Sequence, residues 1–269
     1  MGYLFGALNA TIADRFMMGP ALTLSQIVKI SPSMLVWSWS NLFLFNLHNQ
    51  RHDFAITEDA LNKPWRPLPS GRLTAHQATQ IMYFMYPVVL SVAFTTGGMI
   101  PCLLEMVFCL WYNEWSGAAN PFIKNILNGL GFASFYSGPL EVATGRSVFA
   151  GGGEAAIWLA ILATSITFSS HLQDFRDMDG DRAAGRRTVP LTIGDINARL
   201  TCVLTIFASN SVACWFWGSG WIDGILAWVA GVAIMGNLLL DRTTKGDIFS
   251  WKLFPVWMLG LFLLPILGK

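Results

Sequence analysis

The chain has 269 residues, of which 54% are hydrophobic and only 12% charged; a soluble domain of this size would carry roughly 25% charged residues. That composition excludes a water-soluble globular protein, and a net charge of +1 with no basic stripe outside two loops excludes a nucleic-acid partner. The four cysteines, Cys102, Cys109, Cys202 and Cys214, lie in apolar segments without CxxC or CxxH spacing. That pattern predicts buried free thiols, with neither a zinc site nor a disulfide framework.

From the N-terminus, Met1–Ala10 is apolar but shorter than the about 20 residues of a full span. Two readings stay open for it, a short first helix or the tail of a longer one that begins upstream, and no separate signal peptide is expected. Apolar runs predict helices over 2–13, 27–48, 74–96, 99–114, 121–144, 154–174, 195–217, 221–240 and 247–267. Breaks are expected at Gly97-Gly98, Asn120-Pro121, Gly145, Gly151–Gly153, Gly218–Gly220 and Gly246. The Gly151–Gly153 run lacks the lysine of a nucleotide loop and reads as a flexible turn. Thr74 and Asp195 are the expected N-caps. The fold class is therefore all-α, a multi-pass transmembrane bundle of eight to nine helices in a single membrane domain over 1–269, with its 12 Trp and 19 Phe facing lipid and its interfaces.

Two acidic segments each follow a long apolar stretch. The first runs from Asn49-Gln-Arg-His-Asp53 through Thr57-Glu58-Asp59 to Asn62-Lys-Pro-Trp-Arg-Pro-Leu-Pro-Ser-Gly71, and the second from Asp174 to Arg187. Carboxylates beside hydrocarbon are costly and are kept where they function. Asn49 and Asp53 are spaced i, i+4, as are Asp177 and Asp181, with Asp174 three residues earlier; on a helix each set lies along one face. Oxygen ligands so placed suit a hard divalent cation, and Mg²⁺ usually binds together with substrate phosphates. Arg and Lys in the same loops would hold the remaining phosphate oxygens. The competing reading is a pair of solvated loops marking the membrane boundary.

With nine crossings, both segments fall on one side, together with all of the 17 Lys and Arg except Arg15, Lys29, Arg146 and Lys269. The positive-inside rule places that side in the cytosol. The motifs follow the second and sixth helices, so four helices separate them. This predicts two four-helix halves around a central cavity.

The paired segments resemble the motifs of the UbiA superfamily of intramembrane prenyltransferases. Arg66-Pro-Leu-Pro-Ser-Gly71 is similar to the end of the family's first motif, which puts Asn49 and Asp53 on its metal-binding positions. Asp177 and Asp181 match the metal-binding aspartates of the second motif, and Gly185-Arg-Arg-Thr188 its basic continuation. Pro121-Phe-Ile-Lys124 resembles the start of the family's fifth helix, where a basic residue faces the diphosphate. The chain departs from the pattern at Gln50, where many members have Asp, and at Thr57, with Glu58 and Asp59 displaced. Asn62-Lys-Pro replaces the commoner Arg-Thr. This variant is similar to the fungal branch that includes UbiA-type terpene cyclases.

The resemblance implies a Mg²⁺-dependent enzyme in the bilayer that ionises farnesyl or geranylgeranyl diphosphate and cyclises it to a terpene. The alternative it allows is transfer of the prenyl group to an aromatic or other small acceptor. Asn49, Asp53, Asp177 and Asp181 would hold the metal, and Lys63, Arg66, Lys124 and Arg187 the diphosphate, with Asp53, Asp177 and Asp181 counted as catalytic. No obligate protein partner is expected. The site would face the cytosol, from the endoplasmic reticulum membrane in a eukaryote. Trp37, Trp39, Phe43, Tyr83, Phe132, Phe135, Tyr136 and Phe168 are candidates for an aromatic chamber wall. Glu105 and Glu141, set in apolar helices, are candidate terminating bases, and His171 a candidate ligand-orienting residue. A transporter is the competing class, but it predicts acids near the bilayer midplane rather than at helix ends beside cations.

Overall fold

The computed structural model describes residues 1–149, 153–183 and 185–268, without the side chains of Leu61, Asn62 and Ala183. The expected Gly151-Gly152 turn and Lys269 lie outside the described residues, as does the side chain of Asn62. Among the described residues there is no strand. In chain order the helices are α1 (Gly2–Ala10), α2 (Leu24–Gln50), α3 (Asp53–Asn62), α4 (Ala75–Thr96), α5 (Met99–Asn113) and α6 (Pro121–Thr144). After α7 (Glu154–Ser169), a 3₁₀ segment (Ser170–Asp177) leads into α8 (Met178–Ala183), followed by α9 (Val189–Ile193), α10 (Asp195–Phe216), α11 (Ile225–Leu240) and α12 (Thr244–Leu267).

Each of the nine expected helices is present, and α3, α8 and α9 are short additions inside the motif loops. Thr74 caps α4 as the sequence predicts, in a reciprocal capping box with Gln77. Asp195 does not cap α10. Gly194 holds that position at φ 88, and Asp195 is the first helical residue. Asn120 caps α6, its side-chain oxygen accepting from the amides of Phe122 and Ile123.

Four segments are long and apolar enough to cross a membrane: Ala75–Thr96, Glu154–Arg182, Asp195–Phe216 and Thr244–Leu267. Helices α2 and α6 have 27 and 24 residues, about 40 and 36 Å at a rise of about 1.5 Å per residue. They are long enough to span but more polar, because they turn Ser40, Asn41, His48, Lys124, Asn125, Ser134 and Ser137 into the protein interior. Inward polar residues are how a spanning helix tolerates such composition. Apolar side chains such as Phe94, Trp215 and Leu240 stand outside, more than four-fifths exposed, as a lipid-facing surface requires.

Packing divides the bundle into two cores. One joins α2, α4 and α5 through Met34, Trp37, Leu44, Met82, Val89 and Met106. The other joins α7, α10, α11 and α12 through Trp158, Leu162, Ile206, Ile234, Trp257 and Leu261, and takes in α1. Helix α6 packs against α1, α2, α5 and α7 and so links the halves. There Tyr136 meets Phe5 and Phe262 at ring-centroid distances of 5.3 and 5.0 Å. Trp37 lies flat over Gly138, where a β-carbon would come within 2.0 Å of its ring, and donates to the Gly98 carbonyl. Both Trp37 and Tyr136 are thus packing residues.

The ends of the helices sort as the charge pattern predicts. Arg15 donates to the carbonyls of Pro265 and Gly268 at the C-terminal end of α12. At the opposite end Arg199 of α10 joins the Leu238 carbonyl of α11 and Asp247 of α12. Both acidic motifs lie at this second end.

Candidate active site

The first motif does not form one helical face. Helix α2 ends at Gln50 and α3 begins at Asp53, so the turn at Arg51-His52 separates Asn49 from Asp53. Asn49 faces α5, its amide donating to Oδ1 of Asn113 at 3.3 Å, which leaves its own oxygen available as a ligand. Asp53 stands exposed at the start of α3.

Beside Asn49 is a network the sequence did not reveal. Glu114, at the C-terminal end of α5, takes His48 Nδ1 at 2.7 Å and Arg51 Nη2 at 2.5 Å, while His48 Nε2 meets the Tyr86 hydroxyl at 2.8 Å. Burial pushes the Glu114 carboxyl up, but the bonds from His48 and Arg51 outweigh it and hold it below the usual carboxylate range. The network ties the end of α2 to α4 and α5 and fixes where Asn49 points.

Along α3, Asp59 is buried and receives Arg66 at 2.6 Å and Lys63 at 3.7 Å. Lys63 and Arg66, expected on diphosphate, are thus near one another but paired with an acid of their own motif. Glu58 reaches across to Arg186 of the second motif at 2.9 Å, and Arg186 is also 3.4 Å from Asp181. Burial works against the Arg186 charge, yet Glu58 and Asp181 more than compensate and raise its pKa. Arg187, expected to bind diphosphate, is exposed, as is Arg186. Arg186 is the residue that joins the two motifs.

The second motif begins as 3₁₀ helix and becomes α-helix after Asp177; Asp174 and Asp177, three residues apart, eclipse along the 3₁₀ stretch, yet the acids of the motif differ in burial. Asp177 has 59% of its side chain exposed, beside Arg176, whereas Asp181 has 9%. Asp174, three residues before Asp177, is buried against Lys124 at 2.9 Å. Its second oxygen, Oδ2, has no partner. Lys124, expected to face the diphosphate, is held by this pair.

The segment is clamped from below. Arg199 stacks 4.4 Å over the Phe175 ring while bonding both oxygens of Asp247 at 2.7 and 3.0 Å. His171 is buried between Asn125 and the Ala198 carbonyl, with ring nitrogens 3.3 and 3.0 Å from them. Tyr112 of α5 lies within electrostatic reach of Lys124, Asp174, Arg186 and Glu58. No sequence signal separated it from the other aromatics.

Other candidates lie elsewhere. Glu141 accepts from the Val148 amide near the C-terminal end of α6, away from the motifs, and orders the loop there. Phe168 lines an open groove between α7 and α10, and Trp39 and Tyr83 are more than half exposed. All four cysteines are free and buried.

Among the described residues no group of three or more His, Cys, Asp or Glu converges closely enough to hold a metal alone. The donor set nonetheless fits Mg²⁺, which takes one or two carboxylates and completes its shell with phosphate oxygens and water. The unpartnered Asp174 oxygen, buried Asp181 and the free oxygen of Asn49 are hard ligands of that kind.

The structure closely follows that of a UbiA homolog from Aeropyrum pernix K1, with a TM-score of 0.65 over 96% of both chains at 15% identity. The fumagillin beta-trans-bergamotene synthase of Aspergillus fumigatus is 27% identical over 99% of this chain and 92% of its own length. A polyprenyl transferase of Hericium erinaceus is 29% identical over 74% of this chain and 66% of its own. The family model of the UbiA prenyltransferases matches residues 16–264. With an all-helical membrane bundle and two facing acidic motifs, this chain belongs to the UbiA prenyltransferase family, an integral-membrane enzyme family.

Proposed function

We propose that the protein ionises a prenyl diphosphate with Mg²⁺ and closes the prenyl chain on itself, releasing diphosphate, as one membrane domain over 1–269. The observation that carries this reading is Arg186, which stands between Glu58 of the first motif and Asp181 of the second. It brings acids and cations of both motifs into one cluster, beside the Lys124–Asp174 pair. Asn49, Asp53, Asp174, Asp177 and Asp181 would hold Mg²⁺, which supplies Lewis-acid neutralisation of the leaving diphosphate, worth several kcal/mol.

The chain's own residues do the rest. Lys63, Arg66, Lys124, Arg186 and Arg187 bind diphosphate oxygens as the allylic C–O bond breaks and its electron pair leaves with the diphosphate. Phe45 and Tyr112, with rings 6.1 Å apart, form an aromatic wall below the charges. Such a wall excludes water and can stabilise a desolvated cation by about 2 kcal/mol. Similarity over nearly the whole chain to a bergamotene synthase favours cyclisation. The polyprenyl transferase relative supports the second reading, transfer to a small acceptor. The cluster of basic residues at the motif end favours a cytosol-facing site, in the endoplasmic reticulum if the cell is eukaryotic.

The test is incubation of membranes holding the protein with farnesyl or geranylgeranyl diphosphate and no acceptor, in Mg²⁺ and then in EDTA. Diphosphate release with a hydrocarbon or terpene alcohol, abolished by EDTA, is expected. Release that waits for an added acceptor replaces cyclisation with transfer, and full turnover in EDTA overturns the metal role.

A further inference from the structure

Two oxygens deep in the first half have no hydrogen-bond partner: Oδ1 of Asn41 on α2 and Oε2 of Glu105 on α5. Their residues are 2% and 3% exposed. They line one small void of about 10 Å³ together with Leu44, Phe45, Met106 and Cys109. A space of that volume is at the lower limit for a single water. On α6, Gly131 faces the carboxyl, and a β-carbon there would stand 3.5 Å from Oε2, an ordinary contact distance.

The void has a definite place relative to the charged end. Asn41 lies eight residues before Asn49, and Glu105 eight before Asn113, the residue bonded to Asn49. Eight helical residues rise about 12 Å. Phe45 bridges the interval, touching the void on one side and approaching the Tyr112 ring on the other. A prenyl chain anchored by its diphosphate among Lys124, Arg186 and the motif acids would run past this wall.

We propose that Asn41 and Glu105 form a cation-stabilising subsite for the prenyl chain. Their fixed, unpaired oxygens hold positive charge on the hydrocarbon once it has moved away from the diphosphate. The proposal rests on the prenyl-diphosphate reading above and names the residues that decide where the charge settles. Preorganised dipoles aimed at developing charge act strongly where water is excluded, and apolar neighbours on most sides of this void provide that setting. No bond forms and no proton moves. Oxygens left unpaired in a packed interior are costly for folding alone, which makes a ligand for them the economical explanation. The competing explanation is one structural water tying α2 to α5.

The experiment compares two diphosphate analogues on the purified full-length protein in lipid nanodiscs with Mg²⁺. One carries a tertiary ammonium in place of a mid-chain carbon, and the other is its uncharged carbon isostere. Affinities are read by calorimetry for wild type, Glu105→Leu, Asn41→Leu and Glu105→Gln. The leucine variants should weaken the ammonium analogue about tenfold or more relative to the isostere, while Glu105→Gln, which keeps an oxygen, preserves the preference. Equal weakening of both analogues, or none, overturns the subsite in favour of packing or a structural water. Should Glu105→Leu not fold, Asn41→Leu carries the same comparison. A wild type that binds neither analogue overturns the prenyl-diphosphate reading and the subsite with it.

Discussion

Replacing Arg186 by Gln separates a structural from a functional use of the contact between the motifs. The guanidinium lies 2.9 Å from Glu58 and 3.4 Å from Asp181, and its side chain is 47% exposed. Ion pairs this open to solvent contribute about 0.2–1 kcal/mol. For a chain of this length that corresponds to a fall in Tm of no more than about 4 °C. A guanidinium that binds diphosphate contributes through charge-assisted hydrogen bonds worth about 1.5–3 kcal/mol. The variant should therefore lose about 10- to 150-fold in kcat/KM with almost no loss of stability. Arg187→Gln, at the neighbour outside the Glu58–Asp181 bridge, should lose less. Arg186→Lys should fall between, since it keeps the charge but not the planar fork. The assay is diphosphate release in Mg²⁺, alongside thermal unfolding in nanodiscs. A kcat/KM within about threefold of wild type refutes the assignment. So does a large fall in Tm that accounts for the lost activity.

Asp174→Asn leaves the buried Lys124 ammonium without its anion and should destabilise the protein by about 3–5 kcal/mol, read as a lower Tm, with diphosphate release abolished. The double variant Lys124→Met, Asp174→Leu should recover much of the stability and none of the activity; recovered activity would make the pair purely structural. Glu114→Gln tests the network behind Asn49. Because the folded Glu114 pKa is lowered, its stabilisation is full above the ordinary carboxylate range and is lost as pH falls through the lowered value. Wild type should therefore be the more stable at neutral pH, and the difference should shrink on acidification. A difference in Tm that does not vary with pH contradicts the ionised-network account. Phe168→Ala, on the open groove between α7 and α10, should leave the terpene product ratio unchanged by gas chromatography. Phe45→Ala, below Tyr112, should shift that ratio while diphosphate release continues. The reverse result would move the chamber to the other half.

Nine helices and both motif ends were legible in the sequence because hydrophobic runs, Gly and Pro breaks and the Thr74 cap are local signals. Grouping of Asp174, Asp177 and Asp181 was also legible as spacing, but their environments were not. A chain that stays α-helical would align Asn49 with Asp53. The turn at Arg51-His52 breaks that alignment without a Gly or Pro marker. In the second set Asp174 and Asp181 are buried while Asp177 is exposed, a difference set by Lys124 and Arg186 from elsewhere in the chain. Long-range partners were equally invisible. Glu114 reads as the polar end of an apolar helix until His48 and Arg51 arrive from α2, and Glu141 reads as an intramembrane acid until the Val148 amide turns back onto it. Arg186 and Arg187 are adjacent and chemically identical in sequence; only the position of α3, which presents Glu58, distinguishes them.

The division of labour between helices follows from the same physics. Helices α4, α10 and α12 are apolar enough to cross a bilayer, and the polar groups α10 does carry, Arg199, Ser209 and Asn210, are turned inward. Helices α2 and α6 sit between neighbours and can carry polar groups without exposing them to hydrocarbon. The motif end needs charge, and these two helices deliver it: α2 leads into Asn49, and α6 starts at Asn120-Pro121 and brings Lys124 to Asp174 one turn later. Their inward faces continue as Asn41 on α2, which lines a void with Glu105 of α5, and as Gly131 on α6, which stands beside the Glu105 carboxyl. A chain selected only for stability in a bilayer would fill that junction with leucine. Retaining an amide and a carboxyl there, with oxygens unpaired, is a cost that the proposed cation subsite would explain.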